Sequence, residues 1–235
     1  MGFLSGVMPS VPENNENLLY ISSGLTVISS FMMGMVDAYT FMQQSGAFAS
    51  AQTGNLVILS VKAFSGEWAQ MLSHLWTFAG FAIGAFAGEA INERSKDKGI
   101  RSYRHYLLIR VIVLFALAFF QEQITGAVML VILGTLAGYE LTVFRKFRGT
   151  AVNNAIMSGN VKNMMNDLYH YVFNKDKGAK TRVINLAAII FIFMLGAGVG
   201  TLLTLLHPSW ALWAACIIAA LAYFWMLSPA TRTFE

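Results

Sequence analysis

The chain has 235 residues, of which 56% are hydrophobic and only 12% charged, against roughly 25% charged in an ordinary globular domain; a water-soluble fold would struggle to cover itself. The net charge of +4 does not mark a nucleic-acid binder, because the Lys and Arg residues fall in short stretches between apolar segments, where they report membrane topology. The single Cys216 excludes an intramolecular disulfide, and His74, His105, His170 and His207 are scattered without zinc-type spacing, so neither metal nor cofactor is expected.

Residues 1–17 hold two acidic and no basic residues, which reads as a retained polar tail on the cytoplasmic side and not as a signal peptide. The first apolar segment, Leu18 to Phe41, exceeds the roughly 20 residues needed to span a bilayer core and carries Gly34, Asp37 and Tyr39. Small and polar residues interrupt the next, Gly46 to Phe64, which contains Gln52 and the tripeptide Thr53-Gly54-Asn55. Met71 to Ile91 follows, with Gly80, Gly84 and Gly88 at a spacing that lets helix backbones approach.

After a basic stretch at 92–105 come two apolar segments, Tyr106 to Phe120 with Arg110, and Ala127 to Phe144 with Gly138, Tyr139 and Glu140. A basic stretch at 145–149 precedes a second polar-interrupted segment, Thr150 to Phe173, holding Asn153, Asn154 and Ser158-Gly159-Asn160. Another, at 174–182, leads into Val183 to Leu206, with Gly196, Gly198 and Gly200, and then Trp210 to Leu227 and a tail at 229–235. Trp68, Trp76, Trp210, Trp213 and Trp225 read as interfacial anchors or packing residues.

The chain repeats itself. Gly34 to Asn55 and Gly138 to Asn160 share a glycine, a nearby carboxylate and a Thr/Ser-Gly-Asn tripeptide, with one extra residue in the second copy. If both polar segments crossed the membrane, the basic stretches would be divided between its two sides. If neither makes a net crossing, those stretches and both termini are cytoplasmic, and of 16 Lys and Arg only Lys62 remains outside. The expected fold is therefore an all-α polytopic membrane bundle of about six spanning helices plus two broken or re-entrant segments. It is an inverted three-plus-three repeat, with the first repeat at 18–104 and the second at 105–228. Glycine-lined faces suit a homodimer and a monomer equally.

Inverted repeats of this kind recur among secondary transporters, with the solute held at the repeat interface. The tripeptides are expected to mark chain breaks. If a break exposes a half-helix N-terminus, it favours an anionic or carbonyl-bearing solute; otherwise it is a kink or cap. Asp37 and Glu140 are intramembrane carboxylates, functional by default, and each is a candidate for reversible protonation or for tying helices together, with Arg110 open as a partner to either. Glu140 lies nearer the cytoplasmic end. Gln52, Asn153 and Asn154 add uncharged donors and acceptors, and Tyr39 and Tyr139 offer faces on which a planar solute stacks. The expected binding set is thus Asp37, Tyr39, Gln52, Thr53, Gly54, Asn55, Tyr139, Glu140, Asn154, Ser158, Gly159 and Asn160. No nucleophile elbow, phosphate loop or zinc-protease helix is present, so an enzyme is not expected. The function expected is a secondary transporter of a small solute or ion, with proton coupling through Asp37. The alternatives are a passive channel and a membrane scaffold or sensor subunit.

The combination Gly34-x-x-Asp37-Ala38 with Thr53-Gly54-Asn55, then Gly138 with Ser158-Gly159-Asn160, resembles the YoaK-type family of bacterial membrane proteins, a domain of unknown function, from about Leu18 to Leu227. The resemblance implies a bacterial inner-membrane protein of about six helices with no assigned substrate. The second copy departs from that family's usual Gln-Asn and Thr-Gly-Asn, having Glu140-Leu141 and Ser158.

Overall fold

In a computed structural model, residues 13–94 and 101–228 are described. Residues 1–12 of the expected N-terminal tail, the tail at 229–235, and Lys96 and Lys98 of the first basic stretch lie outside the described residues. The elements are α1 (Glu13–Gln43), α2 (Gln52–Phe64), α3 (Trp68–Arg94), α4 (Arg101–Phe120), α5 (Gly126–Val143), a hairpin of β1 (Lys146–Phe147) and β2 (Thr150–Ala151), α6 (Met157–Phe173), α7 (Lys177–Leu206) and α8 (Trp210–Leu227). Helix is the answer to apolar sequence in an apolar solvent, because it satisfies every backbone group within one segment. The helices stop where local chemistry dictates. Thr125 caps α5 by accepting the Val128 N–H, Asp176 caps α7 by accepting that of Gly178, and His207, extended before Pro208, ends α7.

Six helices, α1, α3, α4, α5, α7 and α8, are long and apolar enough to cross a membrane. Large side chains such as Phe86, Leu202, Leu221 and Phe224 project outward from them, an apolar surface that lipid covers and water does not. This is an all-α polytopic membrane bundle.

Helix directions follow from residue contacts. Gly80, Gly84 and Gly88 meet Val131, Thr135 and Tyr139 in rising order, so α3 and α5 run parallel; Gly196 and Gly200 meet Phe31 and Met35, so α1 and α7 do too. At one end of the α1–α5 crossing Ser29 bonds Glu140, and at the other Gln44 lies against Gly126, so α1 and α5 are antiparallel. It follows that α1 opposes α3 and α5 opposes α7. The intervening α2 and α6 each return the chain to the side from which it came. On α4 and α8 the pairs Arg104–Met226, Val111–Cys216 and Phe115–Trp213 show a second antiparallel contact.

Described basic residues Arg94, Arg104, Arg145, Lys146, Arg148, Lys175, Lys177 and Lys180 therefore gather at the end of the bundle where α1 begins and α8 finishes, and Lys62 stands at the other. The two glycine seams bring backbones together. A Cβ on Gly34 would strike the Phe193 carbonyl of α7, and one on Gly138 the Phe81 carbonyl of α3. Gly198 departs from the expected close approach, with nothing within 4 Å of its would-be Cβ.

Gly34→Ala and Gly138→Ala should each lose about 1–3 kcal/mol through overpacking, whereas Gly198→Ala should be neutral or slightly stabilising. Thermal unfolding in detergent measures the contrast, and equal effects at all three positions would contradict the two seams.

Candidate functional site

Each half of the bundle contains a non-helical loop that turns inward before a short helix begins. Two consecutive left-handed residues reverse the chain at the head of each loop, Ser45-Gly46 before α2 and Arg148-Gly149 between β1 and β2. Glycine takes the second place in both because positive φ costs it nothing. The break thus lies upstream of where the tripeptides were expected to produce it. Thr53-Gly54-Asn55 and Ser158-Gly159-Asn160 instead form the first turns of α2 and α6.

The two asparagines clamp these loops identically. Asn55 accepts the Phe48 N–H through Oδ1 at 2.9 Å and donates from Nδ2 to the Phe48 carbonyl at 2.6 Å. Asn160 accepts the Asn153 N–H at 2.9 Å and donates to the Asn153 carbonyl at 2.6 Å. A primary amide presents an acceptor and a donor in the spacing of a peptide group, so it pairs with one residue's backbone as a strand would. Both asparagines are fully buried. Gln52 extends the first clamp, donating to the Ala49 carbonyl and accepting from Asn55, and His74 of α3 lies 3.2 Å from Asn55 Oδ1.

A carboxylate secures each loop to the spanning helices, directly in the first half and through Ser29 in the second. Asp37 accepts the Ser50 N–H at 2.8 Å and the Ser50 hydroxyl at 2.5 Å, which ties the first loop to α1. In the second half, Asn154 donates to Ser29 at 2.7 Å and to the Glu140 carbonyl at 3.2 Å. Ser29 in turn donates to Glu140 Oε2. Across from it, Arg110 of α4 places Nε 2.9 Å from Glu140 Oε1, with both side chains almost wholly buried. Of the two carboxylates open to Arg110 in the sequence, the structure pairs it with Glu140. Although Glu140 sits in the last turn of α5, it has no exposed surface. A charged pair this deep survives only because each charge answers the other and neighbouring dipoles complete the shell.

The expected binding set therefore divides. Asp37, Gln52, Asn55 and Asn160 are brought into the loop clamps, and Glu140 and Asn154 into the Arg110 network. Gly54 and Gly159 sit in the helix starts, against Phe48 and Asn153, while Thr53 and Ser158 face outward. Tyr39 is packed in the apolar core, and Tyr139 stacks on Tyr106 with ring centroids 4.2 Å apart. Sequence reasoning missed Ser29, Ser50 and Tyr106; the polar stripe Ser22, Thr26, Ser29 along one face of α1 was the available signal for the first.

On the basic side of the bundle a cleft of about 490 Å³ opens between α1 and α5, lined by Ser22, Thr26, Tyr103, Thr142, Arg145 and Lys146. Tyr103, Tyr106, Tyr139 and Phe144 form an aromatic group between this cleft and Glu140. Beside the ion pair itself is a void of about 10 Å³ lined by Met32, Met33, Val36, Leu133 and Leu136, the room of about one water.

A multi-spanning helix bundle with two clamped, inward-turning loops and a buried ion pair defines the class of protein. Residues 25–225 match the family described as "Protein of unknown function (DUF1275)", and the chain belongs to that family. No curated protein and no solved structure matches the chain.

Replacing either clamp with a side chain of similar size, Asn55→Leu or Asn160→Leu, leaves a partly buried N–H and C=O unbonded, at a cost of up to about 1–3 kcal/mol for each such group. Hydrogen exchange should show the Phe48 amide losing protection in the first variant and the Asn153 amide in the second. Retained protection would remove the clamp from the account.

Proposed function

We propose that this protein is a secondary transporter of a small solute in the bacterial cytoplasmic membrane, its two halves forming an inverted repeat. Crowding of the basic residues at the end where α1 begins and α8 finishes supports a cytoplasmic assignment for that face. The observation that carries the reading is the pair of inward-turning loops. Each is built on the same asparagine clamp, and α1 and α5, the helices that precede them, run in opposite directions.

Irregular backbone at membrane depth is expensive unless protein or a watery path surrounds it, and transporters use such interruptions to build solute sites. The clamps satisfy the loops from within, so Asn55 and Asn160 hold the frame and other groups meet the solute. A buried carboxylate, Asp37 or Glu140, takes up the coupling proton. The cleft of about 490 Å³ serves as the cytoplasmic approach, and the aromatic group below it closes that approach in the state seen here.

Reconstitution into proteoliposomes tests the reading with a panel of radiolabelled nucleobases, carboxylates, amines and inorganic anions. At least one class should enter with saturable kinetics that an imposed pH gradient stimulates. Unsaturable conductance in planar bilayers would show a channel instead, and no flux of any class would favour a scaffold or sensor subunit.

A further inference from the structure

Arg110 has more hydrogen-bonding capacity than its surroundings use. A guanidinium carries five N–H donors. Its Nε stands 2.9 Å from Glu140 Oε1 but is not aligned for a hydrogen bond, and one terminal nitrogen faces the Met32 sulfur at 2.7 Å, a poor acceptor. The void of about 10 Å³ adjoins the same pair, walled partly by Met32 and Met33, side chains that repack readily. Nearby, Asn154 Oδ1 is buried without a partner, although its nitrogen bonds both Ser29 and the Glu140 carbonyl. Donors on Arg110 and an acceptor on Asn154 thus stand unused beside one buried ion pair.

We infer that Arg110 is the binding residue for a small monocarboxylate, which replaces the Glu140 carboxylate on the guanidinium as Glu140 takes up a proton. This deepens the transporter reading and rests on it. The physical case is charge balance. A buried arginine requires an anion, and two anions in one dry site repel, so the solute and ionised Glu140 exclude each other. Protonation of Glu140 leaves Arg110 paired with the solute alone, and one proton travels with one anion without net charge. The planar fork of arginine fits a carboxylate through two parallel hydrogen bonds. The protonated Glu140 becomes a donor inside a network where Asn154 Oδ1 awaits one.

The neighbouring groups suit this exchange. Tyr106 of α4 lies against Glu140 and stacks on Tyr139. On α3, His74 faces Asn55 and Glu89 pairs with Arg145, and on α1, Asp37 is bonded to Ser50. Arg145 and Lys146 at the mouth of the cleft favour the approach of an anion.

Titration calorimetry of the purified protein with acetate and with lactate, between about pH 6 and pH 8, tests the exchange. One proton per anion requires the apparent affinity to rise about tenfold for each unit the pH falls, with a binding heat that varies with the ionisation enthalpy of the buffer. Glu140→Gln should bind both anions with no pH dependence, and the neutral double variant Arg110→Gln/Glu140→Gln, checked for folding by its Tm, should bind neither. PH-independent affinity in the unmodified protein, absence of binding there, or undiminished binding in the double variant would overturn the site. Saturable uptake of another solute class without carboxylate binding would remove this site and leave transport standing. Proton-linked carboxylate binding without flux would do the reverse.

Discussion

The structure depends on how it treats backbone that is neither helix nor water-exposed. Loops at 44–51 and 152–156 carry peptide groups into the bundle, where an unbonded N–H or C=O costs several kcal/mol in the absence of water. Asn55 and Asn160 meet that cost with one amide each. Once the loops are clamped, α2 and α6 start inside the protein and each returns the chain to the face it left. Ser50 is then set against Asp37, and Asn154 against Ser29 and the Glu140 carbonyl.

The glycine seams complete the arrangement from outside. Lipid gives helices little hydrophobic reason to associate, so close packing and polar contacts must hold them. Here α3 lies directly on α5 and α1 on α7, each pair parallel and each drawn together at glycines. This leaves α4 and α8 to pack on one another and to bring Arg110 to the α1–α5 crossing. The cation delivered there has Glu140 opposite and methionines beside it, so its hydrogen bonding is incomplete.

Much of this was legible in the chain. Apolar length identified the spanning helices, and the basic bias favoured polar segments that make no net crossing, as the contacts Ser29–Glu140 and Gln44–Gly126 bear out. The duplicated tripeptide recurs in the structure as the first turns of α2 and α6, with Asn55 and Asn160 as the matching clamps. Its function was less readable, since a Gly-Asn pair serves a kink, a cap or a clamp alike, and the choice rests on which backbone lies seven residues upstream in space. The Arg110 partner was beyond reach for a related reason, because Asp37 and Glu140 are both apolar-flanked carboxylates and only the tertiary crossing brings one of them to α4. Tyr139 spends its ring on Tyr106, a pairing between helices that neither local sequence announces.

Opposed insertion of the two clamped loops is the claim from which the rest descends. Side-specific labelling tests it directly: single cysteines replace Ser65, in the turn between α2 and α3, or Lys175, in the turn between α6 and α7, in a Cys216→Ala background, and intact cells are treated with a membrane-impermeant maleimide. A cysteine at 65 should react from outside and one at 175 only after the membrane is opened. Reaction of both from the same side would contradict it.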